Sequence, residues 1–530
     1  MTKPTFDFPY FSQRMPVLAA NAVATSQPLA AQAGLRMLLQ GGNAADAIVT
    51  TAAALTVVEP VMNGIGSDAF SLIWDGTALH GLNASGHSPA AWTPQRFAGL
   101  SQLPLTGWDT VTVPGCVSAW AAISQRFGKL PFADLLEPAI AYARDGFLVS
   151  PTVARQWASQ VERFQDVHGF AEAFMPDGRA PVAGERFRLP AQVRSLQEIA
   201  DSKGESFYRG ALAEQIAAAS KAQGGAMTRE DLAAHQPDWV QPISQAYRSH
   251  RLHEIPPNGQ GISALIAMGI LDQFDLAGLP PDSPESLHLQ IEAMKLGFAD
   301  AYRYVCDHRH MQVTAAELLD PAYLKQRAAL IDRRRAQDFG HGSPRATGTV
   351  YLTAADASGM MVSYIQSNYM GFGSGVVVPG TGISMQNRGH AFSLDPSHVN
   401  CVGPRKRPFH TIIPAFATRG SSALMSFGVM GADMQPQGHV QMMVRTTDYG
   451  QNVQAAADAP RWKITPDKQI IVESHMPAAT VAGLAALGHP VTQTERWNME
   501  YGSAQLIWRL DDGGYVAASE PRRDGQAVGF

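Results

Sequence analysis

The stretch Gly348-Thr349-Val350-Tyr351-Leu352-Thr353-Ala354-Ala355-Asp356 decides how the chain is read. Behind Thr349 lies a run of apolar and β-branched residues, which predicts a strand over 350–355. In front of it stands a glycine, which tolerates backbone geometries closed to other residues. The pair suits a self-cleaving precursor, in which the Thr349 hydroxyl attacks the Gly348 carbonyl and the new chain begins at Thr349. An N-terminal threonine carries a nucleophilic hydroxyl and, on the same residue, an α-amine with a pKa of about 7.7–8 that serves as its general base. A Gly-Thr pair also leads many ordinary strands out of a turn, so its meaning depends on the rest of the chain.

Downstream, further strands are expected over 360–366, 424–428, 506–510 and 515–518, the last two joined by Asp511-Asp512-Gly513-Gly514. Upstream, Ser26-Gln27-Pro28 starts a helix that Gly41-Gly42 stops. Asn43 then caps a second helix over 44–55, apolar nearly all round and therefore buried. A hairpin over 70–74 and 78–82 turns at Asp75-Gly76. From 114 to about 334 the reading is mainly helical, and the polar stretch 335–346 reads as a flexible tail that could move away from the new terminus. Helices first and strands later predict stacked sheets covered by helices.

The chain has 530 residues, 45% hydrophobic and 16% charged, which is the balance of a soluble globular protein with room for roughly two to four domains. A net charge of −5 gives no electrostatic footprint for nucleic acid or an anionic membrane. No apolar run approaches the ~20 residues of a membrane span. Pro4, Asp7 and Pro9 interrupt the start of the chain, which lacks the apolar core of a secretory signal, so a cytoplasmic location is expected. Cys116, Cys306 and Cys401 are odd in number and far apart, as free thiols in a reducing compartment are. Gly371-x-Gly373-x-Gly375 is not followed by a helix, and there is no Gly-x-Ser-x-Gly elbow. Cys306, His308 and His310 lack a partner cluster, so neither a metal nor a cofactor is expected.

The run 349–356, Gly371-Phe372-Gly373-Ser374-Gly375, Lys406-Arg407-Pro408 and Gly428-Val429-Met430-Gly431-Ala432 occur in a familiar order and spacing. With Gln40-Gly41-Gly42-Asn43-Ala44-Ala45-Asp46-Ala47, Val58-Glu59-Pro60 and Gly64-Ile65-Gly66, the chain resembles the γ-glutamyltranspeptidase family of N-terminal-nucleophile hydrolases over nearly its whole length. The resemblance implies an α/β (α+β) fold, a four-layer αββα sandwich built from both halves of a self-cleaved precursor. Residues 1–348 would form the large subunit and 349–530 the small one, intertwined in one catalytic domain, so that the chain's partners are its own fragments as a heterodimer, alone or further dimerised, and a small-molecule substrate. The family's oxyanion-hole glycines align with Gly431 and Ala432, where alanine is tolerable because the donor is a backbone N–H. Among Thr353, Ser363, Ser367 and Asn368, the resemblance makes Asn368 the expected orienting group for the nucleophile; the plain alternative is a turn residue at a strand end.

The chain departs from the family where substrate is held. A family stretch of the form Phe-Arg-x-x-Ala-Pro aligns with Ala84-Ser85-Gly86-His87-Ser88-Pro89, placing Ser85 at the arginine that clamps the α-carboxylate. The aspartate that holds the α-ammonium falls near His390, and the paired serines after Lys-Arg-Pro align with His410 and Thr411. A γ-glutamyl group would enter with its charges unpaired. Arg388, His390, His410 and Thr411 instead suit a small anionic amide, against the ordinary reading that Arg388 pairs with a structural carboxylate and the histidines satisfy backbone groups. The stretches 367–375 and 428–438 look most like the oxamate amidohydrolase branch of purine degradation, implying hydrolysis of oxamate to oxalate and ammonia. Rival expectations are a γ-glutamyl hydrolase or transferase acting on glutathione-like substrates, an acylase of acylated β-lactams, and an unprocessed homologue that has become a binding protein.

Overall fold

Asn43 and Asp46 form a capping box, each side chain accepting the other's backbone N–H, and start the helix Ala44–Val58. All of that helix is buried, because it is the inner helix laid across a sheet. Its first N–H groups are tied further, Ala44 N–H donating to Asp356 Oδ2 at 2.8 Å. Beside it runs Pro28–Leu39, whose first N–H groups are accepted by the Gln27 side chain. The computed structural model describes residues 12–339, 349–496 and 498–530, with Phe6 and Tyr10. Gly348 and residues 340–346 of the expected tail lie outside the described residues.

The sheet beneath these helices has seven antiparallel strands in the order Gln526–Gly529, Ala22–Thr25, Val350–Ala355, Met361–Ser367, Asp68–Trp74, Leu79–Asn83 and Asp238–Val240. Strands from before and after Thr349 are therefore interleaved within one hydrogen-bonded sheet. A second seven-stranded antiparallel sheet runs Val17–Ala19, Tyr515–Ser519, Ser503–Arg509, Ser422–Met430, Ala415–Arg419, His250–Glu254 and Ile243–Tyr247. Its outer face carries the helices Ile262–Leu271, Pro284–Tyr304 and Met434–Thr447, which form a second apolar core.

The sheets meet face to face through Val350–Ala355 and Ser422–Met430. Hydroxyls mark this seam, with Thr353 Oγ1 2.5 Å from Ser426 Oγ and Tyr351 Oη 2.7 Å from Ser363 Oγ. Gly428 makes space for the Tyr351 ring, since a Cβ there would lie 2.4 Å from the ring edge. The result is the four-layer αββα sandwich of the N-terminal-nucleophile hydrolases.

Two expectations change. The stretch 114–334 is not helical throughout: Asp238–Val240, Ile243–Tyr247 and His250–Glu254 supply an edge strand to one sheet and a hairpin to the other. Their half-buried faces carry Gln245, Arg251 and His253 among the apolar residues, so the period-two signal is weak. The described part of the tail, 335–339, is docked, with Ala336 N–H donating to Leu487 O at 2.7 Å and Gln337 N–H to Glu292 Oε2 at 3.1 Å. Cys116, Cys306 and Cys401 are free thiols. Among the described residues no helix is long and apolar enough to cross a membrane.

Candidate active site

Thr349 precedes the central strand Val350–Ala355, and that strand's partner ends at Ser367. Antiparallel register sets Val350 opposite Gln366, which brings Thr349 to the Ser367 side of the ladder. The two hydroxyl oxygens lie 3.0 Å apart, and Thr349 is buried. Ser367 Oγ accepts the Tyr369 N–H at 2.8 Å, which fixes its position. Asp68 is the register partner of Ser367 on the next strand.

From Ser367 the chain turns sharply, and Tyr369 and Phe372 take left-handed backbone conformations, with φ of +74° and +54°. Such strain persists only where surrounding structure enforces it. Here it presents the Tyr369 ring to Arg388, whose guanidinium carbon sits 4.0 Å from the ring centroid. Arg388 is fully buried and donates through one Nη to Thr411 Oγ1 at 2.8 Å. Its Nε and other Nη have no hydrogen-bond partner among the described residues. Burial lowers its pKa to about 10, opposed by Tyr369 and Asp68, so it remains a cation at neutral pH. A buried cation with two orphaned donors costs free energy unless an anion satisfies it.

His410 and Asp68 form the neighbouring pair, both buried, with His410 Nε2 donating to Asp68 Oδ2 at 3.1 Å. Burial, with Arg388 and Arg407 nearby, holds His410 well below its ordinary pKa, so the imidazole is neutral. Burial raises Asp68 to about 7, against the pull of Arg388 and the Gly86 N–H. One carboxylate of adjustable charge thus stands near the orphaned guanidinium.

The Gly431-Ala432 loop closes the other side. Gly431 has φ +133° and Ala432 φ +50°. Gln260 Nε2 donates to both Thr411 O at 2.7 Å and Ala432 O at 2.9 Å, coupling this loop to the Arg388 wall. The Ala432 carbonyl also accepts the Gln435 N–H at 3.1 Å, which fixes the loop at the start of the helix Met434–Thr447.

Three of the other sequence-derived candidates sit differently. Asn368 turns its side chain to Ser67 Oγ at 2.8 Å and Ser384 Oγ at 3.5 Å, while the hydroxyl beside Thr349 is that of Ser367. Ser85 donates to Asn83 Oδ1 at 2.7 Å and accepts from Asn258 Nδ2 at 3.2 Å, and its carbonyl takes Arg407 Nε at 2.9 Å. His390 is half-buried, with Nδ1 2.7 Å from Leu103 O. Asp68, Gln260 and Tyr369 are the neighbours that sequence reasoning missed. Only Tyr369 carried a signal, lying beside Asn368 where the sequence leaves the commoner family pattern.

Comparison with known proteins places the whole chain in one family. The family model for gamma-glutamyltranspeptidase matches residues 30–530. The chain is 37% identical over 517 residues to the glutathione hydrolase-like YwrD proenzyme of Bacillus subtilis, covering 96% of this chain and 98% of that one. It is 38% identical over 515 residues to the oxamate amidohydrolase proenzyme of Klebsiella pneumoniae, covering 95% and 97%. Among solved structures, cephalosporin acylase from Bacillus halodurans superposes with a TM-score of 0.95 at 48% identity, covering 100% of this chain and 99% of that one. A threonine at the head of the central strand and these matches end to end leave one assignment: the chain is an enzyme acting on amide bonds and belongs to the γ-glutamyltranspeptidase family.

Proposed function

We propose that the chain cleaves itself between Gly348 and Thr349, remains together as a two-chain enzyme, and hydrolyses a small amide that carries a carboxylate, with oxamate the first substrate to test. The observation that carries the substrate class is Arg388: a fully buried guanidinium, stacked on Tyr369 and anchored by Thr411, with two donors that find no partner among the described residues. A substrate carboxylate would accept both in the bidentate manner that guanidinium geometry favours. Thr349 Oγ1 then attacks the amide carbonyl, its proton passing to the α-amine freed by cleavage, and Ser367 holds the hydroxyl in place. The oxyanion is received by the N–H groups of Gly431 and Ala432, and the amine leaves with the proton. Water repeats the sequence on the ester and restores Thr349. Of the acidic side chains at this group, Asp68 is already engaged by His410, and burial pushes the Asp433 carboxyl, next to Ala432, well above its ordinary range, so neither stands ready as an anion for an α-ammonium. That disfavours a γ-glutamyl amino acid, although the glutathione hydrolase-like relative keeps that reading in view.

A second reading rests on the 48% identity to a cephalosporin acylase: the carboxylate at Arg388 could belong to a longer acyl chain. Purified enzyme offered oxamate, glutathione and carboxylated acyl amides of increasing length separates these. Faster ammonia release from oxamate than glutamate release from glutathione is expected. Equal turnover of amides with and without a carboxylate would remove Arg388 as the clamp and the proposed substrate class with it.

A further inference from the structure

On the outer helix layer, Pro284–Tyr304 carries His288 and Glu292 one turn apart, hence on one face. His489, in the turn between the helix Ala478–Ala486 and the strand Val491–Thr494, meets them. One ligand atom from each of the three lies within 4.8 Å of the others, and all three residues are buried. The tautomers follow from the contacts. His288 Nε2 is 2.9 Å from Asp332 O, a group that only accepts, so it carries the hydrogen. His288 Nδ1 is therefore a bare lone pair, 2.8 Å from His489 Nε2. That leaves His489 Nδ1 without a partner among the described residues, although His489 is only 3% exposed. An imidazole whose far N–H is pinned by a carbonyl is the arrangement that orients histidine ligands around metals.

We propose that His288 Nδ1, His489 Nε2 and Glu292 bind one divalent transition-metal cation of the zinc class, with water as the fourth ligand. Two imidazoles and a carboxylate are a donor set that suits zinc. On binding, the proton on His489 Nε2 moves to the orphaned Nδ1, and the metal takes the lone pair it leaves. The cation has a rival in place, since Lys295 Nζ donates to Glu292 Oε1 at 2.7 Å and to Gln337 O at 3.0 Å. Lys295 also borders a cavity of about 270 Å³, lined with Gln337, Lys468 and the two neighbours of His489, Gly488 and Pro490. The lysine stem can swing into that space, which is also the route of entry. The metal would tie the helix to residues 332–337, held to the cluster through Asp332 O and Gln337 N–H. The site lies outside the proposed hydrolytic machinery, so its failure leaves that proposal untouched.

Chelator-stripped full-length protein titrated with Zn²⁺ against a chromophoric indicator, with unfolding temperature followed in parallel, tests the site. One equivalent bound per chain and a raised unfolding temperature are expected. His489→Gln and Glu292→Gln should each weaken binding on the order of 100-fold, at the top of the range even for outer-shell losses. Lys295→Met, which keeps every ligand and removes the competing ammonium, should tighten it. Absence of stoichiometric binding, or affinities the same in all four proteins, would overturn the site as adventitious zinc at best.

Discussion

In the proposed reaction, specificity turns on Arg388. Replacing it with lysine keeps a charge but loses the planar fork and the stacking on Tyr369. Losing two charge-assisted bonds of about 1.5–3 kcal/mol each, partly regained by the ammonium, should lower kcat/KM for oxamate roughly 100-fold. Arg388→Met should lose more, and also the preference for carboxylated over neutral amides. Asp68 sets the pH dependence of the same site. With its pKa near 7, it is largely neutral below that pH, leaving more of the Arg388 charge for substrate. KM for a carboxylated amide should therefore rise as pH passes through about 7, and Asp68→Asn should flatten that rise; a KM unaffected by the substitution would remove Asp68 from the site. The stability effect has the same direction. Burial disfavours the charged form, so the stability attached to Asp68 is fully present below its ordinary value of 3.8 and lost as pH rises through about 7. Ala432 holds a left-handed conformation that costs an L-residue about 1 kcal/mol. Ala432→Gly should keep activity, since the donor is the backbone, and Ala432→Val should lose most of it.

Among the elements, the central strand was the most legible, its observed span of Val350–Ala355 following directly from an apolar run between Thr349 and Asp356. The buried helix was equally legible in kind, from Asn43 and a face without polar residues, though it runs to Val58 because nothing at Leu55 stops it. Other strands extend past their expected ends, as Ser422–Met430 does on both sides of 424–428, because tertiary pairing with Ser503–Arg509 continues beyond the apolar residues. The short strands Val17–Ala19, Ala22–Thr25, Ala415–Arg419 and Gln526–Gly529 went unread. Three to five residues of small or mixed side chains carry no periodicity, and only their partners make them strands. For the proposed site, Thr349, Ser367, the Gly431-Ala432 loop and Arg388 were singled out from the sequence. Gln260 and Asp68 are held by side-chain contacts between segments far apart in the chain, which spacing cannot encode. Gly428 gives an element-scale test. A methyl group there would press on the Tyr351 ring at the sheet seam, so Gly428→Ala should destabilise by about 1–3 kcal/mol, read as a lower midpoint in denaturant unfolding.

At the scale of the molecule, cleavage at Thr349 would cut a chain whose halves are already woven together. Val350–Ala355 is hydrogen-bonded to Ala22–Thr25 on one side, and Met361–Ser367 to Asp68–Trp74 on the other. The fragments should therefore migrate as one species under native conditions and separate only when denatured. The central claim is that Thr349 becomes a chain terminus and the nucleophile, and the intact mass of purified protein under denaturing conditions, beside that of Thr349→Ala, tests it most directly. The account predicts two fragments from the natural sequence, the smaller beginning at Thr349, and one full-length chain from the variant. A single full-length mass in an active preparation, or clean cleavage of Thr349→Ala, would contradict it.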